Sequence, residues 1–163
     1  MKKRIVLGID PGTKVTGFGV IEYYSQKMIS LEFGNIYSKS KKLEYCYLTI
    51  FEKLEELIEK YQPDAISVET QFVYKNVQSA MKLSMARGIV MLVAAKHDIE
   101  FFEYAPKKAK LAVTGNGGAS KHQVQKMIAM ILNIKNNLPP EDAADALALA
   151  ICHAHNSKGL TYV

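Results

Sequence analysis

Cysteine is scarce in this chain, with two in 163 residues, Cys46 and Cys152. Neither stands at a metal-ligand spacing and two thiols build no disulfide framework, so both are expected to be reduced and unpaired, as in a cytosolic protein. Long apolar runs are missing too. Nothing approaches the ~18 consecutive apolar residues of a membrane span, and Met1-Lys2-Lys3-Arg4 leads straight into a strand-like pattern rather than a signal segment. A membrane protein and an exported one are thereby set aside, and a cytoplasmic location is expected. The sequence carries no internal repeat, low-complexity tract or linker, which suits one domain over residues 1–163 with enough apolar residues for a proper core. Acidic charge is in the minority, with 16 Asp and Glu against 21 Lys and Arg for a net +5. That balance suits a phosphate-rich partner, because lysine and arginine replace the counterions condensed on nucleic acid. The signal is modest, since many basic proteins of this size bind no nucleic acid.

What is present reads as an alternation of strands and helices. Residues 4–9 read as a buried strand, Thr16 to Tyr23 as a second and 28–37 as a third; the short turns between them favour antiparallel hairpins. Tyr47, Ile50, Phe51, Leu54, Leu57, Ile58 and Tyr61 then repeat at helical spacing, and Pro63 closes that helix. Ala65 to Val68 is the fourth strand. A long helix follows, with Val77, Ala80, Met81, Met85, Ile89 and Leu92 on one face, then a fifth strand at 99–104. Helices are expected at 106–113 and 122–132, and Pro139-Pro140 opens the last one, where a missing N–H costs nothing. Between 106–113 and 122–132 lies the glycine-rich loop Gly115-Asn116-Gly117-Gly118-Ala119. The sum is an α/β domain of ribonuclease-H-like type: a mixed five-stranded sheet, three antiparallel strands first, flanked by helices.

Four acids occupy telling places. Asp10 closes the apolar run Ile5-Val6-Leu7-Gly8-Ile9 and is followed by Pro11-Gly12; Glu69 closes Ala65-Ile66-Ser67-Val68. Asp142 and Asp145, three apart, share one face of the last helix. Singly, each has a bland reading. Asp-Pro-Gly is a common turn, and acids favour a helix N-terminus as caps. A glutamate ending a buried strand must be solvated, paired or metal-bound. Jointly, four carboxylates at one sheet edge would repel and raise one another's pKa unless a cation lay among them. Magnesium takes hard oxygen ligands, and two such ions ~3.5–4 Å apart can clamp both attacking and leaving oxygens of a phosphodiester. Convergence itself follows only if the fold is as expected.

The same residues carry a family pattern. Gly-Ile-Asp-Pro-Gly-Thr-Lys-Val-Thr-Gly-Phe-Gly-Val-Ile over 8–21, Glu69-x-x-Phe72-x-x-Lys75-Asn76-x-x-Ser79-Ala80-x-x-Leu83, Ala86-Arg87-Gly88, Gly115-x-Gly117-x-Ala119-x-Lys121-x-Gln123-Val124 and Asp142-Ala143-Ala144-Asp145-Ala146 together resemble the RuvC-type Holliday-junction resolvases along nearly the whole chain. The resemblance implies a homodimer that binds four-way DNA junctions and nicks two opposed strands, with Mg2+ as cofactor (two ions per site, Mn2+ able to substitute), leaving 5′-phosphate and 3′-hydroxyl ends. It implies Asp10, Glu69, Asp142 and Asp145 as metal ligands and catalytic acids, and water rather than a side chain as nucleophile. Phe72 would stack on bases opened at the crossover, while Lys75, Lys110 and Lys121 would meet DNA. A branch-migration helicase of RuvA and RuvB type is the implied partner, with roles in recombination and repair. Lys14 and Cys46 stand where the family often has arginine.

Other readings are weighed beside this one. Phe72 could be a core aromatic, and Lys107, Lys108 and Lys110 a solvated face. His153 and His155 are two apart, wrong for one helix face, and are expected at surface or dimer positions; His97 and His122 are isolated, and no metal is assigned to histidine. Met81, Met85, Met127 and Met130 at helical spacing suit core or dimer packing. Small residues along 77–96 (Ala80, Ala86, Gly88, Ala94, Ala95) suit a buried helix or a two-fold interface. Gly-Ile-Asp-Pro-Gly-Thr also looks like the first phosphate loop of actin-like kinases and chaperone ATPases, which need two such domains. A ribonuclease-H-like RNA-processing enzyme and a non-catalytic junction binder are the other rivals.

Overall fold

A computed structural model describes residues 2–70 and 76–159. Five strands, β1 (Arg4–Asp10), β2 (Val15–Tyr24), β3 (Lys27–Tyr37), β4 (Ala65–Glu69) and β5 (Glu100–Tyr104), alternate with five helices, α1 (Leu43–Tyr61), α2 (Val77–Lys96), α3 (Pro106–Thr114), α4 (Lys121–Ile131) and α5 (Glu141–Gly159). They form one sheet in the order β3-β2-β1-β4-β5. The first three strands pair antiparallel, and β1–β4 and β4–β5 pair parallel. This is the expected ribonuclease-H-like arrangement.

Both faces of the sheet are covered, which explains why β1 and β4 read as near-continuous apolar runs. Side chains alternate between the faces. Leu7, Ile9, Ile66 and Val68 pack with Leu54, Leu57, Val90 and Val93 under α1 and α2. Val6 and Ile21 pack with Ile128, Leu147 and Ile151 under α3, α4 and α5. Helix α5 can lie this close because β1 and β2 present glycines to it. A Cβ at Gly8 would run into the Ala146 carbonyl, one at Gly17 into the Asp142 carbonyl, and one at Gly19 into the Leu147 side chain.

Several helix ends have clear local causes. Ser120 caps α4 by accepting from the Gln123 N–H at 3.2 Å while the Gln123 side chain accepts from the Ser120 N–H at 2.9 Å, a reciprocal capping box. Gly115 ends α3 at φ +71°, a left-handed cap glycine adopts readily. Pro140 supplies the carbonyl for the first bond of α5, from the Ala144 N–H at 2.8 Å. Helix α1 begins a turn earlier than the apolar spacing implied. Its first turn has no side-chain cap, and although Leu43 and Cys46 face the core, the exposed Tyr45 and Leu48 interleave with them and blur the pattern.

Two readings of individual residues change. His153 is buried, its Nδ1 hydrogen-bonded to the Tyr104 hydroxyl at 2.8 Å and its ring 4.3 Å from that of Phe102. It joins α5 to β5 instead of sitting at the surface; His155 is exposed. His97 is not isolated, for its Nε2 lies 2.8 Å from Glu55, which also holds Lys96. Both cysteines are free and buried, as expected.

Helix α2 turns only one edge inward, through Ala86, Val90, Val93 and Ala94. Its outer face carries Val77, Met81, Met85 and Leu92, each more than half exposed. Among the described residues α2 is the one helix long and apolar enough to cross a membrane. Arg87 in its middle pairs with Glu103 of β5 and lies 5.8 Å from the Phe101 ring centre, fixing the helix to the sheet.

Candidate active site

Asp10 and Glu69 sit at the C-terminal ends of neighbouring parallel strands, one step beyond the Ile9–Val68 pair. Both point to the α5 face. Asp10 pairs with Gly17, and Gly17 is where the Asp142 backbone rests on the sheet. One turn along α5, Asp145 lines a cavity of about 140 Å3 together with Glu69, Lys110 and Lys121. Glycine at position 17 is therefore the device that brings the helical acids down to the strand acids. The four acids singled out in the sequence are brought together.

Their electrostatics agree with that placement. The Asp10 carboxyl is pushed up to about 8, first by burial and then by Glu69, Asp145, Asp142 and Glu141. Glu69 is raised by burial and by Asp145, and Lys110 offsets part of this. Asp145 is raised by burial and by Glu141 and Asp142, against Lys121 and Lys110. Burial outweighs the lysines at both positions, because desolvation disfavours the charged form however the surface is decorated. Glu141 adds a fifth charge that the strand and spacing patterns did not single out. It is exposed and pairs with Lys121, which raises the lysine's affinity for its proton.

Hard carboxylate oxygens are the donors magnesium and manganese prefer. The set is gathered but not closed around a point: among the described residues, no three His, Cys, Asp or Glu side chains are placed to hold one ion together. The donor type, the burial and the raised pKa values fit a hard divalent cation, with Asp10, Glu69, Asp142 and Asp145 as the residues able to hold it.

Of the basic candidates, Lys110 and Lys121 reach this cavity. Lys108 instead lies 5.3 Å from the Tyr104 ring centre, and the stem of Lys107 covers Gly117. Phe72 and Lys75 lie outside the described residues. A larger cavity, about 470 Å3, opens at the other end of the sheet between the ends of α1 and α2. Size alone would favour it, but it contains none of the four acids, and its Glu55 is ion-paired with Lys96 and hydrogen-bonded to His97.

Comparison with known proteins matches residues 6–153 to the family described as "Crossover junction endodeoxyribonuclease RuvC". The chain belongs to the RuvC family. A curated relative of that name from Protochlamydia amoebophila is 57% identical over 151 residues, covering 92% of this chain and 90% of the relative. One from Chlamydia pneumoniae is 50% identical over 155 residues, covering 93% and 92%. Among solved structures, Thermus thermophilus RuvC in complex with a Holliday junction substrate superposes with a TM-score of 0.89 at 31% identity, covering 97% of each chain. Members of this RuvC family are endonucleases, which hydrolyse phosphodiester bonds.

Proposed function

We propose that residues 1–163 act as one nuclease domain that resolves four-way DNA junctions, nicking two opposed strands to leave 5′-phosphate and 3′-hydroxyl ends. The observation that carries this reading is the acid centre: Asp10, held up to about 8 by burial and by its acidic neighbours, is a carboxyl poised to exchange its proton for a cation. Asp10, Glu69, Asp142 and Asp145 are the catalytic and metal-binding groups, with Mg2+ as the resident ion, two per site, and Mn2+ able to replace it. Bound there, divalent ions supply a water of lowered pKa and neutralise charge on the leaving oxygen. The chain's own residues do the rest. Asp10 and Glu69 fix the centre to the sheet, α5 carries the other two acids, and Lys110 and Lys121 draw the phosphodiester toward the cavity. Phe72 and Lys75, just past Glu69, are the candidates for holding the crossover open.

The exposed apolar stripe of α2 supports a homodimer, since a patch of Val, Met and Leu on one helix face marks an interaction surface. A two-fold axis there gives one acid centre for each of two opposed strands of a junction that is itself nearly two-fold. A branch-migration complex of RuvA and RuvB type is the expected partner in the cytoplasm.

The test is a nicking assay on a synthetic four-way junction with a linear-duplex control. The wild type should cut the junction with magnesium or manganese and stop in EDTA. Asp145→Asn should fold and bind the junction while its single-turnover rate falls by several orders of magnitude. Near-wild-type cutting by that variant would reduce the helical acids to helix caps and end the two-metal reading.

A further inference from the structure

Lys110 and Lys121 reach the acid centre from α3 and α4, and Lys14 stands exposed in the β1–β2 turn just beyond Asp10. On the centre's other side the sheet continues from β1 to β2 to β3, and β3 ends at Tyr37, paired with Val15 of β2. Two residues further along β2 is Gly17, the partner of Asp10. Two strand spacings of ~4.8 Å and two residues of ~3.4 Å place Tyr37 roughly 12 Å from Asp10, at the same end of the sheet. From Tyr37 the chain runs Ser38-Lys39-Ser40-Lys41-Lys42 into α1. Lys39, Lys41 and Lys42 are exposed, and none has an ion-pair partner among the described residues. The exposed Glu44 is the one acid in the segment.

The segment is braced. Ser40 N–H donates to Ser38 Oγ at 3.2 Å, Lys42 N–H to Ser40 Oγ at 3.1 Å, and Cys46 Sγ to the Ser40 carbonyl at 3.3 Å. Tyr37 and Tyr45 flank it, 62% and 52% exposed. The Asn35 amide donates to the Tyr37 hydroxyl at 3.1 Å, which leaves that phenol's own proton free to donate outward. Three unpaired cations on a braced turn, between two tyrosines with solvent-facing rings, make a surface suited to polyphosphate backbone, which lysine and tyrosine both contact.

We propose that Tyr37, Lys39, Lys41, Lys42 and Tyr45 form a second DNA track that holds a junction arm on the β3 side of the acid centre, three to four nucleotides from the scissile phosphate. The inference rests on the junction-nuclease reading. For Tyr37, the start of the track, the spacing follows from the roughly 12 Å offset set against a rise of ~3.4 Å per nucleotide along the duplex axis, and the lysines continue outward from there. Lys110 and Lys121 then hold the strand on the opposite side of the cut, so that the scissile phosphate is suspended between two basic surfaces.

The test combines Lys39→Gln, Lys41→Gln and Lys42→Gln in the full chain, with circular dichroism and size exclusion to verify the fold. Junction binding is measured in EDTA across a salt series. Loss of three phosphate contacts at ~0.9 each should make the log–log salt slope shallower by about 2.7 and weaken binding about tenfold or more. Single-turnover nicking of the junction by the wild type with magnesium is measured separately, which keeps failure of the track distinct from failure of the nuclease reading. In parallel, neutral methylphosphonates are placed three and four nucleotides from the cut, on one side or the other. On the side facing β3 they should weaken the wild type and leave the triple variant unchanged. A slope change smaller than about two, or methylphosphonates that cost the variant as much as the wild type on both sides, overturns the proposal.

Discussion

Removing one charge from the acid centre should make the metal-free protein more stable, and the size of the gain can be worked out. Asp10 has an ordinary pKa of 3.8 and is held at about 8 in the folded chain. Its folded pKa is raised, so the folded state keeps a proton that the unfolded state loses. The group's contribution is full below 3.8 and is lost as pH rises toward 8. At pH 7 the unfolded carboxyl lies about three units above its pKa, and at ~1.4 kcal/mol per unit the cost is on the order of 4 kcal/mol. Asp10→Asn keeps the shape and cannot ionise. In EDTA, chemical denaturation from pH 5 to 9 should show the variant increasingly more stable than the wild type, with the gap widening by up to ~1.4 kcal/mol per unit and levelling off above pH 8. Saturating magnesium should then stabilise the wild type far more than the variant, because a ligand that binds only the folded state adds its binding free energy to stability. A gap that does not change with pH, or a variant less stable than wild type at pH 7 in EDTA, would refute the crowding of acids at Asp10.

Three further outcomes follow from contacts elsewhere. Gly17→Ala forces a Cβ against the Asp142 carbonyl, so α5 must lift; a loss of roughly 1–3 kcal/mol or more and at least a tenfold fall in nicking are expected, whereas Gly34→Ala, which meets only the Phe18 ring at 3.2 Å, should cost less in a denaturation titration. His153 is held below its ordinary 6.5 by burial, so stability is full above that pH and falls as the unfolded histidine takes up a proton at lower pH; His153→Phe should flatten this acid limb in melts between pH 5.5 and 7.5, and an unchanged limb would assign it to other groups. Met81→Glu with Met85→Glu should turn a dimer into a monomer in sedimentation equilibrium while circular dichroism stays native, and a wild type that is already monomeric at assay concentration would leave the α2 face to another partner.

The order of strands and helices was legible because β1 and β4 are buried on both faces and α1 keeps a clean core-facing period. The start of α1 was not, since exposed Tyr45 and Leu48 interrupt the core-facing set Leu43, Cys46, Tyr47 and Ile50, and Lys42 makes no side-chain cap. Asp10 and Glu69 could be placed at strand ends from the runs before them. Their approach to Asp142 and Asp145 could not, because it depends on a register that sets Gly17 beside Asp10 and beneath α5. His153 was misplaced for a related reason: its partner Tyr104 is 49 residues away, and a lone histidine on an apolar helix gives no hint of it. The α2 methionines share the spacing of core residues, and only the finished fold separates the inward edge at Ala86 and Val90 from the outward stripe at Met81 and Met85.

The acid centre and the core beneath it have to be weighed together. Fully burying one aliphatic side chain contributes roughly 1.5–3 kcal/mol, so the cost of about 4 kcal/mol at Asp10 offsets about two such residues. Leu7, Ile9, Leu54, Ile66, Leu147 and Ile151 are all fully buried, on the two faces of the sheet. The same glycines that admit α5 also give up side-chain packing at positions 8, 17 and 19, so the close approach that assembles the acids further thins the core at that point. The fold tolerates both costs because β1 is covered on two faces and the two strand acids, Asp10 and Glu69, each close their strand one residue beyond a fully buried one. Moving an acid one residue inward, to Ile9 or Val68, would point it to the α1 and α2 face among Leu54, Leu57 and Val90, with no second carboxylate to share a cation. Register and strand end therefore set Asp10 and Glu69 side by side on the α5 face, which makes the site a property of the pairing Asp10–Gly17 as much as of the acids themselves.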